Sequence, residues 1–248
     1  MTDPYLSLVI PAYNEQETVP TLLQRVETAL NKTGQPFEVV IVDDGSTDTT
    51  PDLLADALAR FSWLRVLRLS RNSGQTAAFD AGFKAARGQI IASIDADLQN
   101  DPDEIPRLLP MLEHCDMVTG WRQQRCDSAY RRFQTRFANW IRNLISDETI
   151  HDSACSLKVY KRCCIEGLQL FVGMHRFLPT LVKMRGFTVI ETPVKHFPRL
   201  AGKGKYGLWN RALRAFVDLL AVRWMKKRYI HYQVTEVQPA QALSAARS

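Results

Sequence analysis

The chain has 248 residues, 46% of them hydrophobic, enough for one substantial α/β domain or two small ones and too apolar for a disordered polymer. Its 32 Lys and Arg against 26 Asp and Glu give a net charge of +6, which points to an anionic partner such as a phosphate ester, an acidic membrane face or nucleic acid. No zinc finger, RNP-like aromatic pattern or basic recognition helix accompanies that charge, so nucleic acid is not expected.

In chain order, Leu6–Ile10 reads as a strand ended by Pro11-Ala-Tyr13-Asn14, and no basic-then-apolar leader precedes it. A helix follows with Val19, Leu22, Leu23, Val26 and Leu30 on one face. Phe37–Val42 is a second strand, closed by Asp43-Asp44-Gly45-Ser46, and Thr50-Pro51 opens another helix with a capping hydroxyl. Arg65–Leu69 is a third strand, and Gly74–Arg87 a helix stopped by Gly88. Ile90–Ile94 is a short buried strand that delivers Asp95-Ala-Asp97-Leu-Gln99. Strands alternating with helices imply right-handed crossovers and a mainly parallel sheet.

Carboxylates at the end of a central strand sit where open α/β sheets bind ligands. Asp95, Asp97 and the Gln99 carboxamide make a compact oxygen set for a hard cation, Mg²⁺ or Mn²⁺, which takes one or two carboxylates and fills the rest with water and phosphate oxygens. The plain alternative for each strand end is a turn or a helix cap. Tyr13 with Glu15, Asp43 with Asp44, and Asp95 with Asp97 should nevertheless gather along one edge. Neither phosphate-cradling glycine signature is present, so a metal is expected to neutralise most of a nucleotide diphosphate.

The second half is less regular. Asp116–Gly120 and Phe187–Glu191 read as strands, and a helix with Phe133, Phe137, Trp140 and Ile141 carries Arg131, Arg132, Arg136 and Arg142. Pro198–Tyr206 is a glycine- and lysine-rich loop, and a basic amphipathic helix runs from about Leu208 to Tyr229. Such a helix either lies in a membrane interface or packs on its own sheet with a solvated basic face. No run is long enough to span a bilayer, so the expectation is a soluble or peripheral protein. Five cysteines without Cys-x-x-Cys spacing suggest reduced thiols, with Cys163-Cys164 a small apolar pair at a helix start.

The ordered set Val9–Glu15, Val42–Asp48, Asn72-Ser-Gly-Gln75, Asp95–Gln99, Arg131–Asn139, Met174-His-Arg176 and Gly202–Tyr206 resembles family 2 glycosyltransferases of GT-A fold. Within them it is most similar to the polyprenyl-phosphate glycosyltransferases typified by dolichol-phosphate mannose synthase. The resemblance implies an α/β, Rossmann-like, mainly parallel sheet sandwiched by helices. It implies a single domain over 1–230, with a nucleotide-sugar half to about 120 and an acceptor half beyond it; residues 231–248 would be a disordered tail.

Position by position, the resemblance assigns base and ribose contacts to Pro11, Tyr13, Glu15 and Asp43, with Asp44 close by, and the metal and diphosphate to Asp95, Asp97 and Gln99. Arg122 and Arg131 match arginines facing the donor diphosphate and the acceptor phosphate; Arg199, Lys203 and Lys205 match a mobile loop closing over the phosphates. Gly204 stands where relatives usually carry Ser. Asp152-Ser-Ala-Cys-Ser-Leu-Lys158 departs from the common Asp-x-Thr-Ser-Gly-Phe-Arg in a way that leans toward an undecaprenyl over a dolichyl carrier.

The implied reaction is inverting transfer from GDP-mannose or a UDP-sugar to a polyprenyl phosphate at the cytoplasmic membrane face, with or without a membrane-anchoring partner. A phosphate monoester is largely dianionic at neutral pH, its second pKa being about 6, so no strong general base is needed. A hydroxyl acceptor, which would need such a base, and a non-catalytic sugar-nucleotide binder are the alternatives.

Overall fold

The computed structural model describes residues 3–122, 150–153, 155–198 and 208–230, the side chains of 208–215 excepted. Arg131, Arg199, Lys203 and Lys205, and with them the Arg131–Asn139 segment, the Gly202–Tyr206 loop and the 231–248 tail, lie outside the described residues.

Seven strands form one sheet: β1 (Leu6–Ala12), β2 (Phe37–Asp43), β3 (Leu64–Arg68), β4 (Ile90–Ser93), β5 (Met117–Arg122), β6 (Lys158–Lys161) and β7 (Val189–Val194), in the order β3-β2-β1-β4-β6-β5-β7. Helices α1 (Val19–Asn31), α2 (Thr50–Arg60) and α3 (Gln75–Ala85) make the crossovers between the parallel strands β1, β2, β3 and β4. Strand β1 is buried along its whole length. Leu6, Leu8 and Ile10 enter one core with Leu22, Val26 and Leu30 of α1, while Val9 enters the opposite core with Phe79 and Phe83 of α3. Each such side chain contributes about 1.5–3 kcal/mol on burial, which is why central strands read as continuous apolar runs.

The expected sandwich is present, with one addition. Strand β6 lies antiparallel between β4 and β5, which itself pairs in parallel with β7. Val159 and Tyr160 fill the two opposite cores, and Lys158 is buried as well. The later strands start one or two residues beyond their expected positions, at Met117 and Val189, and Cys163-Cys164 belongs to a single 3-10 turn. The four described cysteines are free.

Helices α4 (Glu104–Leu108) and α5 (Leu178–Met184) are short, and α6 (Leu208–Arg228) is the long C-terminal helix. Leu219 and Val222 of α6 pack against Met174, Phe177, Leu181 and Met184. Phe216, Val217, Leu220 and Trp224 stay exposed beside Lys226, Lys227 and Arg228. No helix among the described residues is long and apolar enough to cross a membrane.

Candidate active site

Because β1, β2 and β4 are parallel neighbours, their carboxyl ends open onto one edge. Pro11 is buried in β1 opposite Val42. Asn14 then takes a positive φ of 53°. Its amide N–H donates to Ser46 Oγ at 2.9 Å, and its Oδ1 accepts from the Thr47 amide at 2.8 Å. The Glu15 amide donates to Thr50 Oγ1 at 2.9 Å. That hydroxyl thus latches two loops together instead of capping α2, whose first turn is tied by Asp48 Oδ1 to the Thr50 amide.

Asp43, the last residue of β2, is buried. Its Oδ1 accepts from the Ser46 amide at 2.9 Å, whereas Oδ2 has no hydrogen bond and lies 3.3 Å from Arg68 Nε. Gly45 has φ +69°, and a Cβ there would run into the backbone of Arg71 and Asn72. This close approach walls an open cleft of about 570 Å³ lined by Tyr13, Ser46, Thr47, Arg68 and Arg71 among others. Asp44 has a different task. Its two oxygens accept from the Ser73 amide at 2.7 Å and the Gly74 amide at 2.8 Å, fixing the loop that opens α3.

The acidic motif follows β4. Ile94 still donates to Val9 O, and the Asp95 amide donates to Ser156 Oγ at 3.2 Å. Leu98 is a buried, non-glycine residue at φ +58°, a conformation that costs about 1–2 kcal/mol in an L-residue. The bend lets Asp97 Oδ1 accept from the Gln99 amide at 3.2 Å. Asp95 Oδ1 accepts from Gln75 Nε2 at 2.7 Å.

Burial, then the negative charge of Asp97, push the Asp95 carboxyl up to about 6, against the Ser156 hydrogen bond and the nearby cations Lys158 and Arg122. Two carboxylates that resist simultaneous ionisation are suited to a dication. No cluster of three or more His, Cys, Asp or Glu side chains that could hold a metal occurs among the described residues. The donor types of Asp95, Asp97 and Gln99, two carboxylates and an amide, suit Mg²⁺ or Mn²⁺ completed by phosphate and water.

A second charged group lies beneath the motif. Arg122, at the end of β5, grips Asp152 through Nε at 2.6 Å and an Nη2 contact at 2.9 Å. Burial disfavours the Arg122 charge, and the Asp152 hydrogen bonds and charge more than restore it. Arg122, expected to face the phosphates, is paired with Asp152, and both it and Lys158 bear on Asp95. Lys158 is buried with its ammonium donating to the Cys155 carbonyl, and burial lowers its pKa. Ser156 Oγ also accepts from Asn100 Nδ2 at 2.8 Å, so residues 155–158 brace both ends of the acidic loop. In the sequence this segment pointed, through its resemblance, to the carrier lipid and not to a brace for the acidic loop.

The Gln99 carbonyl accepts from the Phe197 amide at 2.8 Å, and Asn100 bridges His196. The stretch leading to residue 199 is therefore rooted on the acidic loop. His175 meets Thr76 at 2.6 Å, within a 3-10 turn over Met174–Phe177.

Residues 7–166 match the family model described as Glycosyl transferase family 2. Over 228 residues the chain is 39% identical to dodecaprenyl-phosphate galacturonate synthase of Rhizobium johnstonii, covering 90% of this chain and 67% of that protein. It is also 39% identical over 217 residues to undecaprenyl-phosphate 4-deoxy-4-formamido-L-arabinose transferase of Pseudomonas aeruginosa, covering 87% of this chain and 64% of that one. The chain thus spans about two thirds of these relatives' length.

Among solved structures, glucosyl-3-phosphoglycerate synthase of Mycobacterium tuberculosis with Mn²⁺, UDP and phosphoglyceric acid superposes at TM-score 0.69 and 17% identity, over 92% of this chain and 80% of that one. A mannosyltransferase of Pyrobaculum calidifontis with GDP-Man and Mn²⁺ does so at 0.59 and 19%, over 100% and 80%. These likenesses extend to the fold, which is GT-A. The chain belongs to glycosyl transferase family 2.

Proposed function

We propose that this chain transfers a sugar from a uridine diphosphate sugar to the phosphate of a polyprenyl phosphate, with inversion at the anomeric carbon. The observation that carries the reading is the shared edge on which Asp95 and Asp97 stand beside the Tyr13–Arg68 cleft. The acceptor class is supported by the two relatives, a dodecaprenyl-phosphate and an undecaprenyl-phosphate sugar transferase.

Uridine is favoured over guanosine by Asp43. Only its Oδ2 is left without a hydrogen bond, with the Arg68 donor beside it. One acceptor next to one donor matches the single N–H and adjacent carbonyl of uracil. The guanine edge, with its ring N–H and amino group side by side, asks for two acceptors. Tyr13 and Glu15 belong to the loop beside this subsite, Pro11 sets where that loop leaves β1, and Asp44 holds the opposite wall.

A lipid phosphate oxygen forms the new bond to the anomeric carbon while the bond from that carbon to the β-phosphate oxygen breaks, and the nucleoside diphosphate departs with the electron pair. Asp95, Asp97 and Gln99 would hold Mg²⁺ or Mn²⁺, which supplies charge neutralisation of the diphosphate when bound. Arg131, Arg199, Lys203 and Lys205 would screen the repulsion between the two anions. A hydroxyl acceptor would need a general base, and among the described residues Asp152, which shares Arg122 with Asp95, is held in a two-pronged pair with that arginine. The exposed apolar and basic residues of α6 favour work at an anionic membrane surface on the cytoplasmic side.

The test is transfer from UDP- and GDP-sugars to short polyprenyl phosphates by wild type and Asp97→Ala. Lipid-linked sugar from a UDP donor, reduced at least about 100-fold in the variant, is the expected result. Sugar nucleotide bound but never passed to a lipid phosphate would overturn it.

A further inference from the structure

The acidic loop is held from the side by a residue that the reaction as described leaves unused. Gln75, the first residue of α3, donates from Nε2 to Asp95 Oδ1 at 2.7 Å although it is itself exposed. The next residue, Thr76, is buried. Its Oγ1 accepts from the Gly173 amide at 3.0 Å and hydrogen-bonds His175 Nδ1 at 2.6 Å.

Gly173 stands at φ +91°, where a Cβ would collide with the carboxylate of Asp218 in α6. From the other end, Asp44 accepts from the Gly74 amide. The first turn of α3 is therefore pinned at Gly74 and at Thr76, and Gln75 between them reaches the carboxylate.

Resting on the reading of Asp95 and Asp97 as metal ligands, we propose that Gln75 is a positioning residue that aims Asp95 at the cation. The Thr76–His175–Gly173 contacts hold Gln75 in place. The side-chain chemistry suits the task. A lysine reaching the same oxygen would place a cation against the ligand and compete with the metal. A glutamate would add like charge. A neutral amide fixes one carboxylate oxygen by a hydrogen bond and leaves the negative charge for the ion. Asp95 needs such help because its partner Asp97 repels it.

The experiment titrates Mn²⁺ into the full chain with UDP, following free Mn²⁺ by EPR, and measures kcat and KM for the sugar nucleotide separately. Gln75→Met keeps the length and removes the donor; Gln75→Lys keeps a donor and adds the charge. Both are expected to weaken Mn²⁺ about 10-fold and to lower kcat, with UDP affinity measured without metal unchanged. Thr76→Val should give a smaller loss of the same kind, because it loosens the support and leaves the amide present.

Wild-type Mn²⁺ affinity in Gln75→Met would overturn the proposal, as would a loss confined to metal-free UDP binding, which would make Gln75 a nucleotide contact. Wild type that binds no Mn²⁺ would instead remove the metal reading itself, and this inference with it.

Discussion

Asp43→Asn tests the base subsite with one atom changed. The asparagine keeps Oδ1 for the Ser46 amide and places an NH₂ where Oδ2 lay. Arg68 is 60% exposed, so losing that ion pair costs under about 1 kcal/mol and the fold should hold. The larger effect falls on the donor. A base N–H that met a carboxylate oxygen now meets another donor, and a hydrogen bond to a charged group is worth about 1.5–3 kcal/mol. At about 1.4 kcal/mol per decade, KM for a UDP-sugar should rise roughly 10- to 150-fold. Because Asp43 lies on β2 and not beside the acidic motif on β4, kcat at saturating donor should stay within about threefold. The assay is initial-rate kinetics over UDP-sugar with calorimetric UDP binding. Unchanged UDP affinity, or a fall in kcat alone, would refute the placing of the base against Asp43.

Metal binding should depend on pH: with Asp95 pushed up to about 6, Mn²⁺ affinity measured by calorimetry should be flat above about pH 7 and fall below 6 as the carboxyl takes up its proton. Glu38 predicts a different profile. Burial alone would raise its carboxyl, but hydrogen bonds from Ser7 and Arg65 and from the Arg87 amide bring it below the usual range. A lowered folded pKa gives stability that is present above the unfolded value near 4.5 and lost as pH falls through the folded one. Thermal unfolding of wild type and Glu38→Gln should accordingly differ at pH 7 and converge toward pH 3. Gly82→Ala would drive a Cβ from α3 into the Val9 side chain of β1, an overpacking of about 1–3 kcal/mol, seen as a Tm lower by roughly 2–10 °C.

The first four strands were largely legible because their physics is local. β1, β2 and β4 are apolar runs whose ends are marked by Pro11, Asp43 and Asp95, and parallel crossovers then bring those ends together. β6 escaped notice because it is four residues long and carries lysine at both ends, one of them buried, so no alternation marks it. Asp43 and Asp44 look equivalent as letters. Their separation into a carboxylate facing Arg68 and a loop anchor depends on where the 68–74 segment passes, which only the β2–β3 register decides. Gln75 sat in a recognised motif, but its partner lies 20 residues away across a crossover. The commitment of Arg122 to Asp152 was hidden for the same reason, with 30 residues between them.

That Arg122–Asp152 pair has a partner in the stacking of Trp121 on His151, with ring centroids 4.7 Å apart. Together they fasten the chain just before residue 123 to the chain just after residue 149, so these two points stay joined whatever the number of residues between them. Once a loop is closed, doubling its length costs only about 0.6 kcal/mol of chain entropy, far less than one buried side chain. The sheet therefore imposes almost no constraint on how many residues separate Arg122 from Ile150. A chimera carrying a relative's segment between these clamps should fold with an unaltered Tm to within a few degrees.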